Sequence, residues 1–224
     1  MELPTTKSPP KRKSPKILTL FGQSKSGKTT MLSELDDCLI IDTEEGTDFL
    51  EAIKLKAHDL NSLNQIMMAL KQRKTDEHKY KYIAIDTLDK IIEWHEDVIS
   101  KEHKVKTIGD IPFGAGYGHL RARIMQFVYR MKTLTDHLIL IGHLKKSLIG
   151  LDTGTEVTAS SLDIQGRLKN ILMADSDAIG MIYRDPKGKL MVSFESSGEV
   201  EAGSRCEHLI SKNFPFDWKE IFID

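Results

Sequence analysis

Apolar runs, broken only by Thr19, recur along the chain at residues 17–21, 38–41, 82–85 and 138–141, and each stops at a glycine or a carboxylate. A short run with no solvated face reads as a parallel-sheet strand buried on both sides. The segments between them change period. Leu63, Ile66, Met67 and Leu70, then Leu88, Ile91, Ile92, His95, Val98 and Ile99, then Leu120, Ile124, Phe127, Val128 and Met131 follow helical spacing. Ser62 is a candidate cap of the first of these helices, and Lys71, Arg73 and Lys74 suit its C-terminus. A helix to about residue 35, a short strand over 54–57 and a helix around 165–173 complete the regular part. Residues 178–184 and 190–194, joined by Asp185-Pro-Lys-Gly188, predict a β-hairpin. The aromatic stretch 214–222 is expected to dock on its own domain. Strands alternating with helices predict an α/β three-layer sandwich with a mainly parallel sheet and a C-terminal β-hairpin. Two polar, glycine-containing stretches, 101–118 and 145–161, are expected as loops, the first carrying Phe113 and Tyr117, which could pack under it or stack on bases.

With 224 residues, the chain has room for one such domain. Net charge is −1, unevenly spread: Lys7, Lys11, Arg12, Lys13 and Lys16 stand against Glu2 at the start, leaving an acidic remainder. Residues 1–16 therefore read as a disordered basic tail, either merely solvated or a phosphate-binding arm, and 17–224 as the core. No run suits a membrane span or a signal peptide, so a cytoplasmic protein without membrane contact is expected. Cys38 and Cys206 read as reduced, buried thiols. His95-Glu96 has isoleucine at position 99 instead of a second histidine, which removes the zinc-protease motif.

Chemistry concentrates at the strand ends. Gly22-Gln23-Ser24-Lys25-Ser26-Gly27-Lys28-Thr29, followed by Thr30, is a G-x-x-x-x-G-K-T sequence between a strand and a helix. That context marks a P-loop, whose backbone N–H groups surround phosphate oxygens of ATP. Lys28 is expected on the β and γ phosphates, Thr29 on Mg²⁺, and Lys25 as a solvated loop charge. Asp86, at the end of a second apolar strand, reads as the acid that holds Mg²⁺ opposite Thr29.

Glu44, Asp86 and His143 close three strands, and this combination resembles the RecA-like ATPase core. The resemblance implies that Glu44, with Glu45 as the other candidate, activates the attacking water, and that His143 is a polar sensor on the strand between those carrying the P-loop and Asp86. It also implies that 101–118 and 145–161 are DNA-binding loops. Phe113-Gly-Ala-Gly-Tyr-Gly118, Gly142-His143 and Ala174-Asp-Ser-Asp-Ala-Ile-Gly180 are similar to the small phage core-only recombinases and single-strand-annealing ATPases. Gly203-Ser-Arg205 resembles the end of the DnaB-type helicase core, where a Lys-x-Arg element reaches a neighbour's γ-phosphate; glycine replaces the lysine, so only Arg205 carries over, with Arg184 and Lys145 as rivals. The implied protein is a bare motor core, a DNA-stimulated ATPase acting on single-stranded DNA in the host cytoplasm as a homo-oligomer, ring or filament. A single-strand-binding or replication protein is an expected partner. Two other readings remain: a nucleotide-dependent loader that hydrolyses ATP slowly as a switch, and a nucleotide or small-molecule kinase.

Overall fold

The apolar runs pair side by side in a computed structural model that describes residues 3, 5–73, 79–150, 156–197 and 199–223. In chain order the elements are β1 (Ile17–Gly22), α1 (Lys28–Ser33), β2 (Cys38–Asp42), β3 (Lys54–Lys56), α2 (Leu60–Gln72), β4 (Tyr82–Asp86), α3 (Leu88–Glu102) and α4 (Ala115–Lys132). There follow β5 (His137–Gly150), β6 (Glu156–Leu162), α5 (Gly166–Asp175), β7 (Ala178–Arg184), β8 (Leu190–Ser193), β9 (Gly203–Ser204), β10 (Asn213–Pro215) and α6 (Trp218–Ile221). The sheet runs β10-β8-β7-β1-β5-β4-β2-β3. From β7 to β3 every neighbouring pair is parallel, while β8 and β10 add an antiparallel margin through the expected hairpin.

Alternation within the buried strands feeds two cores. Ile17, Phe21, Leu39, Ile41, Ile83, Ile85, Leu138 and Leu140 point to one face, where α2, α3, α4 and α5 cover them. Leu18, Leu20, Ile40, Ala84, Ile139 and Ile141 point to the other, against Met31 and Leu32 of α1 and Trp218 and Ile221 of α6. The three layers thus follow from the two-residue period of strands whose apolar residues face both sides.

The aromatic C-terminal stretch does dock on its own domain. Trp218 Nε1 donates to Met31 O at 2.6 Å, and Phe222 packs on Tyr82 and His137 with ring centres 4.8 and 4.7 Å away. The end of the basic arm is fastened too: Ser14 Oγ donates to Ile223 O at 2.6 Å and His137 Nδ1 donates to Pro15 O at 2.7 Å.

Both expected loops turn out more regular. In the first, α3 runs to Glu102 and two 3-10 turns, Ile108–Asp110 and Pro112–Gly114, lead into α4. Buried Ile108 and Ile111 pin these turns to the core, which the glycine-rich composition concealed. Tyr117 consequently lies in the first turn of α4, and Phe113 is fully exposed. In the second, β5 continues past His143 and folds back through β6 as an antiparallel hairpin that pairs Lys145 with Ser161 and Lys146 with Ser160. Lys74 and residues 151–155 lie outside the described part. Among the described residues no helix is long and apolar enough to cross a membrane.

Because Trp218 joins the C-terminal stretch to the helix after the P-loop, Trp218→Ala is expected to destabilise the fold by about 3–5 kcal/mol. Urea unfolding measures it. A loss below about 1 kcal/mol, the scale of a surface substitution, would show that the stretch does not support the core.

Candidate active site

The P-loop is shaped by close backbone approach. A Cβ at Gly22 would lie 2.6 Å from Ile182 O on neighbouring β7, so no larger residue fits there, and Gly27 takes φ 108°, the left-handed region open to glycine. Lys28 is buried at the start of α1, and its Nζ donates to Gly22 O at 3.0 Å and Gln23 O at 2.8 Å. Burial lowers its pKa, although Asp86, Glu44 and Asp89 pull the other way. Ser26 Oγ is buried with no hydrogen-bond partner, an orphan that an anion in the loop would satisfy. Ser24, Lys25, Gly27, Lys28, Thr29 and Thr30 line a cavity of about 410 Å³, together with Glu44, Asp86 and His143. Gln23 is exposed just outside it.

Thr29 Oγ1 donates to Asp86 Oδ2 at 2.7 Å across this cavity. Burial raises the Asp86 pKa from 3.8 to about 6; the Thr29 hydrogen bond opposes the shift, while Asp42 and Glu44 add to it. A strained carboxylate beside a hydroxyl offers the hard oxygen donors that Mg²⁺ prefers, with the open cavity leaving space for its waters. The residues present therefore fit both a phosphate chain and the metal.

Glu44 is aimed by Asp42. The Asp42 carboxylate accepts from Glu44 N at 2.9 Å, Gly46 N at 3.3 Å, Thr47 N at 2.9 Å and Thr47 Oγ1 at 2.6 Å. Burial alone would raise its pKa, but these hydrogen bonds together hold it below the ordinary carboxylate value. Thr43 and Thr87 tie the tips of β2 and β4 together, Thr87 N donating to Thr43 Oγ1 at 2.8 Å and Thr43 Oγ1 to Thr87 O at 3.0 Å. Thr87 Oγ1 then donates to Glu44 Oε1 at 3.0 Å. Glu45 points away: its side chain is 63% exposed, and its Oε1 lies 4.0 Å from His58 Nδ1.

His143 faces Glu44 from β5. Its Nδ1 and its backbone N both donate to Asp89 Oδ2, at 3.0 and 3.1 Å, which leaves Nε2 3.8 Å from Glu44 Oε2. The Asp89 hydrogen bond is the main cause of a raised His143 pKa, with burial opposing it. His143 also lines a second cavity of about 770 Å³ between α3, α4 and α5, bordered by Tyr117, Arg121 and Arg167.

Arg205 is not brought to this cluster. Its backbone N donates to Asp177 O at 2.8 Å and its guanidinium to Ala174 O, at the amino edge of the sheet, whereas the P-loop lies at the carboxyl edge. Arg184 does lie beside the P-loop, its Nη2 3.1 Å from where a Cβ on Gly27 would stand. Sequence reasoning missed Asp42, Thr87, Asp89 and Phe49, the last a 97% exposed ring on the cavity rim. Asp42 had a signal, an Asp at a strand end five residues before a threonine, which suits a side-chain-capped turn.

The Asp86 shift gives a stability test. Its folded pKa lies above the unfolded value, so its contribution favours folding below about pH 4 and is lost as pH rises through 6. In protein free of nucleotide and metal, Asp86→Asn is expected to gain up to about 3 kcal/mol over the wild type at pH 7.5, and to lose that gain by pH 4. Urea midpoints at the two pH values decide it, and a variant no more stable at pH 7.5 contradicts the raised pKa.

A family model described as an AAA domain matches residues 14–206, taking in every element from β1 to β9. No curated protein sequence matches the chain. The P-loop cavity, with its lysine, threonine and buried acid, is what nucleotide binding and hydrolysis in that family call for, and the chain belongs to the AAA domain family of P-loop ATPases.

Proposed function

We propose that this protein hydrolyses ATP with Glu44 as the group that aligns and deprotonates water, and that it does so on single-stranded DNA in phage-type recombination or annealing. The observation that carries the hydrolytic reading is the posture of Glu44. One carboxylate oxygen is held by Thr87 and the other faces His143 at 3.8 Å, over the cavity lined by Lys28 and Thr29. A fixed, acceptor-only group beside a phosphate cavity is suited to take a proton from water.

The neighbouring residues have distinct tasks. Lys28 exchanges its two carbonyl partners for phosphate oxygens, where an ammonium offsets the charge that gathers during transfer. Thr29 and Asp86 would hold Mg²⁺, which supplies neutralisation of the phosphate oxygens when bound. Asp89 keeps the His143 proton on Nδ1, so that Nε2 faces Glu44.

The DNA reading draws support from β5. Lys145 and Lys146 follow His143 on the same strand, so a phosphate backbone bound by those lysines would bear directly on the residue facing Glu44. Lys146 carries no ion pair among the described residues, and Lys145 only a loose one to Asp163 at 3.6 Å.

Three variants test the reading. Lys28→Ala is expected to abolish turnover and weaken ATP binding. Glu44→Gln keeps ATP binding but lowers turnover by about 100-fold or more, while Glu45→Gln costs little. A steady-state phosphate-release assay beside nucleotide-binding titrations separates these outcomes, and wild-type turnover in Glu44→Gln would remove the water-activating role. Single-stranded DNA is expected to stimulate the wild type; stimulation by a protein partner alone would favour the loader reading.

A further inference from the structure

A strip of positive charge lies at the amino edge of the sheet, at the far end of the parallel strands from Lys28 and Glu44. Two adjoining cavities of about 760 and 490 Å³ mark it, both lined by Arg12, Lys13 and Lys16 of the N-terminal arm. Lys132, from the last turn of α4, and Arg205, just after β9, line the larger one. Parts of the chain distant in sequence thus deliver cations to one place. The anchors of Ser14 on Ile223 and Pro15 on His137 hold the arm against it.

Two of the nearby acids are already engaged. Asp177 Oδ2 accepts the backbone N–H groups of Lys16 and Ile17 at 2.8 and 3.0 Å, and Asp136 pairs with Lys79 at 2.6 Å. Glu207 is the remaining carboxylate of the larger cavity. Lys16 and Arg205 donate to the neutral carbonyls of Thr135 and Ala174. Among the described residues, Arg12, Lys16, Lys132 and Arg205 have no carboxylate within ion-pairing distance, so the strip keeps an excess of positive charge. Burial, with Lys79 and Arg12 next in weight, lowers the Lys16 pKa to about 8, a strain that a bound anion would relieve.

We propose that this strip binds the phosphodiester backbone of a nucleic acid strand, at the edge of the sheet opposite the ATP site. The composition favours that occupant over the alternatives. A protein partner would bury an apolar centre and a membrane surface would take apolar anchors. Among the described residues Ile223 is the only large apolar side chain lining either cavity, since Phe222 and Trp218 are turned inward. Interfaces with nucleic acid are polar and strongly cationic, and their phosphate contacts come chiefly from arginine and lysine. The proposal rests on the reading that the protein works on single-stranded DNA, and it adds a contact surface remote from Lys145 and Lys146. Two separate strand-binding edges would let one subunit hold two strands or two parts of one strand.

The test is fluorescence anisotropy with a labelled oligothymidylate of about 30 nucleotides, titrated between roughly 50 and 200 mM salt. Arg12→Ala combined with Lys132→Ala is expected to weaken binding about 5- to 10-fold at the low-salt end and to reduce the slope of log K against log salt by about 1.4, the share of two phosphate contacts on a single strand. The charge-conserving pair Arg12→Lys and Lys132→Arg retains both affinity and slope, and DNA-free ATP turnover is unchanged in either pair. Unaltered affinity and slope in the alanine pair, with binding lost in Lys145→Ala combined with Lys146→Ala, overturns the strip and leaves the DNA reading standing. A wild type that does not bind the oligonucleotide at all overturns both. Binding to vesicles of phosphatidylserine and phosphatidylcholine without binding to the oligonucleotide overturns the strip as a nucleic acid site and gives it to a lipid surface.

Discussion

The active site depends on one constraint: strands buried on both faces can carry polar chemistry only where they leave the sheet. Parallel pairing then collects those exits on a single edge. The register sets Gly22 against His143 and Asp42 against Asp86, so the P-loop, both acids and the imidazole emerge within reach of one another. Had any of these strands been antiparallel, its polar end would have emerged at the opposite side of the protein. The same constraint explains the uneven amino edge, where the chain arrives from the arm and from α4 and leaves Lys16 and Lys132 close together.

Much of this was legible in the sequence because it was written in short-range signals. The four apolar runs, their terminal residues and the Gly-x-x-x-x-Gly-Lys-Thr spacing follow from burial and from turn chemistry, which act over a few residues. The position of β5 between β1 and β4 was available only through resemblance, and the strand order agrees with it. What the sequence concealed is mutual orientation. Asp89 looked like an ordinary first-turn acid of α3, and nothing local says that its carboxylate receives two donors from a strand more than fifty residues away. Residues 145–161 read as a loop because the stretch is polar, contains two glycines and opens with two lysines; the structure folds it as a hairpin whose return strand buries Ala159, Ser161 and Leu162 and bridges Ser160 to Val200.

Arg205 shows the same limit in another form. Its motif context was readable, but a motif does not state at which end of the sheet the chain will be when it arrives. The pairing of β9 with the start of β7 fixes that end, setting Ile179 against Gly203 and Ala178 against Ser204. Arg184 comes from the other end of the same strand and therefore reaches the P-loop.

The length of β5 has a mechanical meaning. Its 14 residues form one continuous strand, about 46 Å at the usual rise, clamped between β1 and β4 over its first half and paired only with β6 over its second. Such a strand is a cantilever. A load on the outer half would bend it most at the lip of the clamp, and the residue at that lip is His143. A tilt of that ring would change the 3.8 Å separation between His143 Nε2 and Glu44 Oε2.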